Sequence, residues 1–324
     1  MSHSQILKDT SVVFSCYAPN ARQVSVAGDF NGWQLWGMQP SGDGFWGVRT
    51  PALGNREIQY RFVVDGNYVS DPSNLRKDSG GNQNSWFDLS GNCGSLFHRS
   101  FYSESLGCYK KYVVYLPPSY GLSDKSYPVL YLMGGLLDYE MDWTNKGDIH
   151  HVADSLIARG SMQEMIIVMP DKDQSWMESD QEHLFYRYIT QDLMGHIESV
   201  FRVDPARGRA LEGLSIGAHW AMRIGFLHPY SFSSLSSLSC PLSRDIFDLA
   251  NEKARELKDS GVKVRLNCGD EEPSLIPLNQ QFQQFLSTIG IPCECYVGHG
   301  PHDWELWREE IANSLRFHSS SLRA

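Results

Sequence analysis

The sequence predicts a two-part chain: a small all-β sandwich over residues 1–92, then an α/β domain over 93–324 with a mainly parallel sheet and helices on both faces. Three observations predict it. The first part holds β-branched and aromatic runs separated by Gly, Asn, Asp and Pro, with no helical period. The second alternates unbroken apolar runs with amphipathic helical patterns, as parallel strands buried on both faces require. Between them, DLSGNCGS (Asp88 to Ser95) is poor in large apolar residues and rich in turn formers.

In chain order, SVVFSCY, QVSVAG, GFWGV, EIQYRFVVDG and SWFDL read as strands, and Asp65-Gly66 is a hairpin signal. Beyond the boundary, YVVYLPP, PVLYLM, EMIIVMP, RALEG, VKVRLNC and CECYV lack alternation and read as buried strands. DIHHVADSLIARG sets Ile149, Val152, Ala153, Leu156 and Ile157 on one helical face, with Asp148 as N-cap and Gly160 just past the end. YITQDLMGHIESVF repeats the pattern through Ile189, Leu193, Ile197 and Val200, and LNQQFQQFLSTIG through Leu278, Phe282, Phe285 and Ile289.

Acidic residues outnumber basic ones, 38 to 28, and the Lys and Arg are scattered, which argues against nucleic acid or an anionic membrane as partner. A small or neutral substrate fits better, and a homo-oligomer is left open. The start, MSHSQILKDTSVV, lacks a secretory apolar region and no run is long enough to span a bilayer, so a soluble, cytoplasmic protein is expected. Seven cysteines without CxxC or Cys/His ligand spacing suggest neither a disulfide framework nor a metal site.

Function is carried by RALEGLSIGAHWAMRIGFLHP. Gly213 and Gly217 flank Ser215 at GxSxG spacing, where an apolar strand gives way to a helix ending near His228-Pro229. A sharp strand-to-helix elbow leaves no room for Cβ atoms beside a nucleophile, and such an elbow exposes the serine hydroxyl at the helix N-terminus. A serine hydroxyl also needs a base, and the base needs a carboxylate to hold its tautomer. After VKVRLNC comes the GDEEPS turn with Asp270, Glu271 and Glu272, and after CECYV comes GHGPHDWELW with His299 and His302, in the order serine, acid, histidine. The oxyanion donors expected are the amides of Ile216 and of Gly135 in LMGGLLDYEMDW, with Leu136 the alternative to Gly135. His219, one helical turn after Ser215, is placed to line the pocket. His150, His151, His183 and His196 lie ahead of the elbow on helix-like or loop stretches, where exposed or core roles are expected.

YKKYVVYLPPSYGLSDKSYPVLYLMGG, MIIVMPD, RALEGLSIGAHWA and GPHDWELWREEI together resemble, in order and spacing, the esterase D-like branch of the α/β-hydrolases, which includes enterochelin, feruloyl and acetylxylan esterases. The resemblance implies a serine carboxylesterase with Ser215 as nucleophile, His302 as base and Glu272 as acid, Asp270 staying open as the alternative. No cofactor is needed for that chemistry. Two departures stand out: Met133 replaces the usual His before the oxyanion glycine, and Ala218 replaces a second glycine after GxSxG. Trp143 and Trp176 lie in loops expected to overhang the pocket and hold an aromatic acyl group, and Trp304 is a further substrate-binding candidate.

VSVAGDFNGWQLWGMQPSGDGFWGV and IQYRFVVDGNYVSDPSN resemble the family 48 carbohydrate-binding module, an immunoglobulin-like sandwich. The resemblance implies glycan contacts at Trp33, Tyr68 and Arg61, with Asn84 a further candidate. The substrates it leaves in play are feruloyl or acetyl esters of plant glycans and catecholate siderophore esters. The competing readings are a glycan-binding protein on a degenerate hydrolase scaffold, and an acyltransferase using the same three residues.

Overall fold

The computed structural model describes residues 4–172 and 181–323. The chain divides into two compact units, Met1–Arg99 with Val114–Lys125 and Ser100–Val113 with Ser126–Ala324.

Among the described residues nine strands lie wholly in the first unit. Those of its first sheet are β1 (Gln5–Ile6), β2 (Val12–Tyr17), β5 (Gln39–Gly42) and β6 (Phe45–Arg49), ordered β1-β2-β6-β5; those of the second are β3 (Val24–Gly28), β4 (Trp36–Gly37), β7 (Glu57–Val64) and β8 (Asn67–Val69), ordered β4-β3-β7-β8, with β9 (Ser85–Asp88) also on β7. In β7 the alternate residues Ile58, Tyr60 and Phe62 are fully buried, the period that a strand with one core face requires. Phe14 of β2 meets Tyr60 at 4.7 Å, and Tyr60 stacks on Phe87 at 5.4 Å, so aromatic rings join the two sheets into a sandwich. The Asp65-Gly66 hairpin forms as expected: both residues have positive φ, 47° and 88°, and Val64 pairs with Asn67.

An eight-stranded sheet, all but the start of β10 and the end of β11 within the second unit, runs β10 (Ser95–Ser103), β11 (Cys108–Leu116), β13 (Ile166–Pro170), β12 (Val129–Met133), β14 (Arg209–Leu214), β15 (Ser234–Leu238), β16 (Lys263–Gly269) and β17 (Cys293–Gly298). From β13 to β17 every recorded pairing is parallel. The helices are α1 (Asp142–Asn145), α2 (Ile149–Ala158), α3 (Glu182–Arg187), α4 (Met194–Val200), α5 (Ile216–Leu227), α6 (Arg244–Glu252), α7 (Ala254–Ser260), α8 (Leu275–Thr288) and α9 (Trp304–Ser321). Helices α5, α6 and α8 pack together over β14 to β17, while α2 and α9 form a second layer on β15 and β16. This is an α/β-hydrolase sheet.

Several elements differ from the sequence reading, β10 among them. β15 (SLSSL) was not anticipated, because serine is a poor strand signal; here Ser234, Ser236 and Ser237 are fully buried. The expected helix through YITQDLMGHIESVF is a π-helical stretch, Tyr188–Leu193, continuing into α4. Asp148 does precede α2, but its backbone is left-handed and its side chain makes no cap bond. Among the described residues no helix is long and apolar enough to cross a membrane.

Candidate active site

β14 ends at Leu214, and Ser215 turns the chain into α5 with φ 52° and ψ −125°, a conformation costly for a residue with a Cβ. The flanking glycines are there because of contact. A Cβ on Gly213 would lie 2.3 Å from the carbonyl of Gly217, and one on Gly217 would lie 2.3 Å from the carbonyl oxygen of Gly134. Ala218, the departure from the family pattern, is accommodated as a fully buried methyl.

His302 comes from the loop between β17 and α9. Its Nε2 lies 2.8 Å from Ser215 Oγ and its Nδ1 2.5 Å from Glu272 Oε1. Glu272 is 5% exposed and its other oxygen accepts bonds from the Gly269 amide at 2.5 Å and from Ser239 Oγ at 2.7 Å. Burial pushes its carboxyl up, but the bonds from His302, Gly269 and Ser239, with the charge of His302, hold it below the ordinary glutamate value. Asp270, the alternative acid, faces away: its carboxylate meets His299 Nδ1 and the Gly300 amide, each at 2.9 Å. That exposed pair lowers the Asp270 carboxyl and raises the His299 imidazole. The structure thus joins Ser215, His302 and Glu272 in one chain of hydrogen bonds and leaves Asp270 and His299 outside it.

Two residues that support this bond network were not read as site residues, though Trp307 falls in the HDWELW segment that carries the family resemblance. Ser239, just after β15 with φ 54°, receives the indole N–H of Trp307 at 3.0 Å while donating to Glu272. Trp307 also sets its ring edge-on to His302, 5.2 Å away.

At the oxyanion side, the Ile216 amide heads α5 and has no partner among the described residues. The expectation for Gly135 needs correction: its N–H donates to Asp138 Oδ2 at 2.8 Å, so that donor is already engaged. The adjacent Leu136 N–H has no partner among the described residues.

The pocket candidates separate. Trp143 is 1% exposed, its ring packed edge-on against Trp304, so it is a core residue and not a pocket wall. Trp304 donates its indole N–H to Asp138, and Lys146 lies over its ring. His219 stays half-buried on α5 beside Trp220, and burial lowers its imidazole. Trp176 lies outside the described residues. Asp148, His150 and His151 form the one group among the described residues that could hold a metal ion, and it shares no residue with the Ser215 site.

In the first unit Trp33 and Tyr68 are exposed, 38% and 48%, and the Arg61 guanidinium lies over the Tyr68 ring. Asn84 is buried and donates to Gln59 Oε1, which removes it from a sugar-facing role.

Residues 103–318 match the Esterase family, and residues 2–79 match carbohydrate-binding module 48, the isoamylase N-terminal domain. The endo-1,4-beta-xylanase/feruloyl esterase of Xylanibacter ruminicola is 26% identical over 331 residues, 93% of this chain; the chain spans 44% of that relative's length. A ferulic acid esterase structure is 25% identical with a TM-score of 0.63, covering 71% of this chain and 99% of that one. The enterobactin esterase of Shigella flexneri shares the fold over 95% of this chain and 92% of its own, with a TM-score of 0.55 at 18% identity. The elbow serine, the parallel sheet and the match from residue 103 to residue 318 agree, and the chain belongs to the Esterase family of α/β-hydrolases.

Proposed function

We propose that this protein is a serine carboxylesterase. The observation that carries the reading is the unbroken bond chain from Ser215 Oγ through His302 to Glu272, 2.8 Å and then 2.5 Å. Ser215 attacks the ester carbonyl while His302 Nε2 takes its proton, then returns it to the departing alkoxide. Water, deprotonated by the same nitrogen, releases the acid from the acyl-enzyme. Glu272 holds the imidazole in the tautomer with Nδ1 protonated and balances its charge once Nε2 is protonated. The oxyanion is held by the amides of Ile216 and Leu136, since that of Gly135 is engaged by Asp138.

Similarity to feruloyl esterases supports an acyl ester of a glycan, feruloyl or acetyl, as substrate, ahead of a catecholate ester. Exposed Trp33 and Tyr68, with the module 48 match, support glycan binding by the first unit as a second activity. The test is steady-state hydrolysis of p-nitrophenyl acetate, p-nitrophenyl butyrate and methyl ferulate by wild type, Ser215→Ala and His302→Ala. Loss of nearly all turnover in both variants supports the reading; equal rates in all three proteins sink it. Product analysis with a sugar acceptor separates hydrolysis from acyl transfer.

A further inference from the structure

Asp138 lies in the loop after β12, and its side chain is 6% exposed. Oδ2 accepts the Gly135 N–H at 2.8 Å; Oδ1 accepts from Lys146 Nζ at 3.0 Å and from Trp304 Nε1 at 3.1 Å. Each partner belongs to a segment that frames the site: the oxyanion loop, the approach to α2, and the start of α9 two residues beyond His302. Two cationic or polar donors on Oδ1 offset the charge of a carboxylate that would otherwise repel an oxyanion formed nearby.

The loop itself is strained. Asp138 N–H donates to the Gly135 carbonyl at 3.1 Å, closing a four-residue turn around Leu136 and Leu137, and Leu137 has φ 66°. A positive φ at that position normally calls for glycine, so a leucine persists there only where surrounding contacts hold it. Gly135 is also pressed against the nucleophile: a Cβ on it would lie 3.3 Å from Ser215 Cβ and 3.2 Å from Asp138 Oδ2.

We propose that Asp138 is a positioning residue of the oxyanion hole. By taking up the Gly135 N–H and strapping the turn to Lys146 and Trp304, it presents the Leu136 N–H to the developing alkoxide and ties that donor to the loop carrying His302. This rests on the esterase reading above, and the experiment keeps the two separable.

Asp138→Ala, Asp138→Asn and Leu136→Pro are compared with wild type in p-nitrophenyl acetate hydrolysis, and hydrogen exchange is followed at the Gly135 amide. Asp138→Ala lowers kcat about 100-fold with KM within about threefold, because the lost contact acts in the transition state. Asp138→Asn keeps an acceptor for the Gly135 N–H and recovers about tenfold of that loss. Leu136→Pro sits at the second position of the turn, where proline is favoured; it deletes one N–H and reproduces the kcat loss. Gly135 exchange accelerates in Asp138→Ala. Unchanged or raised kcat in Asp138→Ala, or wild-type kcat in Leu136→Pro, overturns the proposal. Should Asp138→Ala fail to fold, Leu136→Pro and Asp138→Asn decide it. Should wild type turn over no ester, the esterase reading falls, and unchanged Gly135 exchange between wild type and Asp138→Ala still counts against the strap.

Discussion

Glu272 is a buried carboxylate held below its ordinary pKa of 4.5, against the upward push of burial, by bonds from His302, Gly269 and Ser239. The sign follows from that direction. A group whose folded value is lowered contributes stability that is complete above its unfolded value and is lost as pH falls through the folded one. The stability gap between wild type and Glu272→Gln, measured by urea unfolding across pH, is therefore expected to be widest near neutrality and to close on acidification below the ordinary glutamate range. A gap that widens on acidification contradicts the assignment. In kinetics, Glu272→Gln is expected to lose about 10³- to 10⁴-fold in kcat, as when the acid of such a relay is neutralised. Asp270→Asn is expected to stay within about threefold of wild type, since a surface pair with His299 is worth little. Ser215 and His302 were readable from spacing and resemblance, which left the acid open between Glu272 and Asp270. The roles of Ser239, Asp138 and Trp307, the last inside the HDWELW motif, were not readable, because each matters through a partner far along the chain: Trp304 reaches Asp138 across 166 residues.

The elbow between β14 and α5 is where local sequence and geometry agree most closely. Gly217→Ala would drive a methyl to 2.3 Å from the Gly134 carbonyl oxygen, backbone that cannot step aside. A loss of roughly 1–3 kcal/mol or more in unfolding free energy is expected, with loss of activity. Ser215 stores strain at φ 52°, so Ser215→Gly should be more stable than Ser215→Ala by roughly 1 kcal/mol while both are inactive. Equal stability of the two in denaturant titrations would show that the elbow is relaxed. β15 makes the opposite point. Its serines give no strand signal, yet small side chains suit a crowded central strand, and Ser234 finds a buried partner in His318 at 2.8 Å.

That partner belongs to a network spanning the second unit. Glu212 of β14 meets His318 Nε2 of α9 at 3.0 Å and is also bonded by Ser314, all of them almost wholly buried. The buried hydrogen bond joins the strand that leads to Ser215 with the helix that follows His302. Removing one partner of a buried pair strands the other, so His318→Ala is expected to cost roughly 3–5 kcal/mol by urea unfolding. A cost below about 1 kcal/mol would mean that the pair does not tie the elements together. For the first unit, Trp33→Ala and Tyr68→Ala are expected to abolish retardation on α-glucan gels while leaving p-nitrophenyl acetate turnover unchanged. Wild type migrating without retardation would remove glycan binding from the proposal.

The sequence by itself determined the two-part order of strands and helices, the GxSxG elbow, the serine, acid, histidine order and the family. These are local or periodic features: glycines demanded by a tight turn, apolar runs demanded by burial, and a hairpin demanded by Asp65-Gly66. Only the tertiary structure decided which carboxylate of the acidic turn reaches His302, that Trp143 is core, and that the Gly135 amide is already bonded to Asp138. The physical reason is range. Whether a side chain points to a neighbour tens or hundreds of residues away depends on register and loop path, and two oxygens in one turn can be told apart only when the second strand and its histidines are in place.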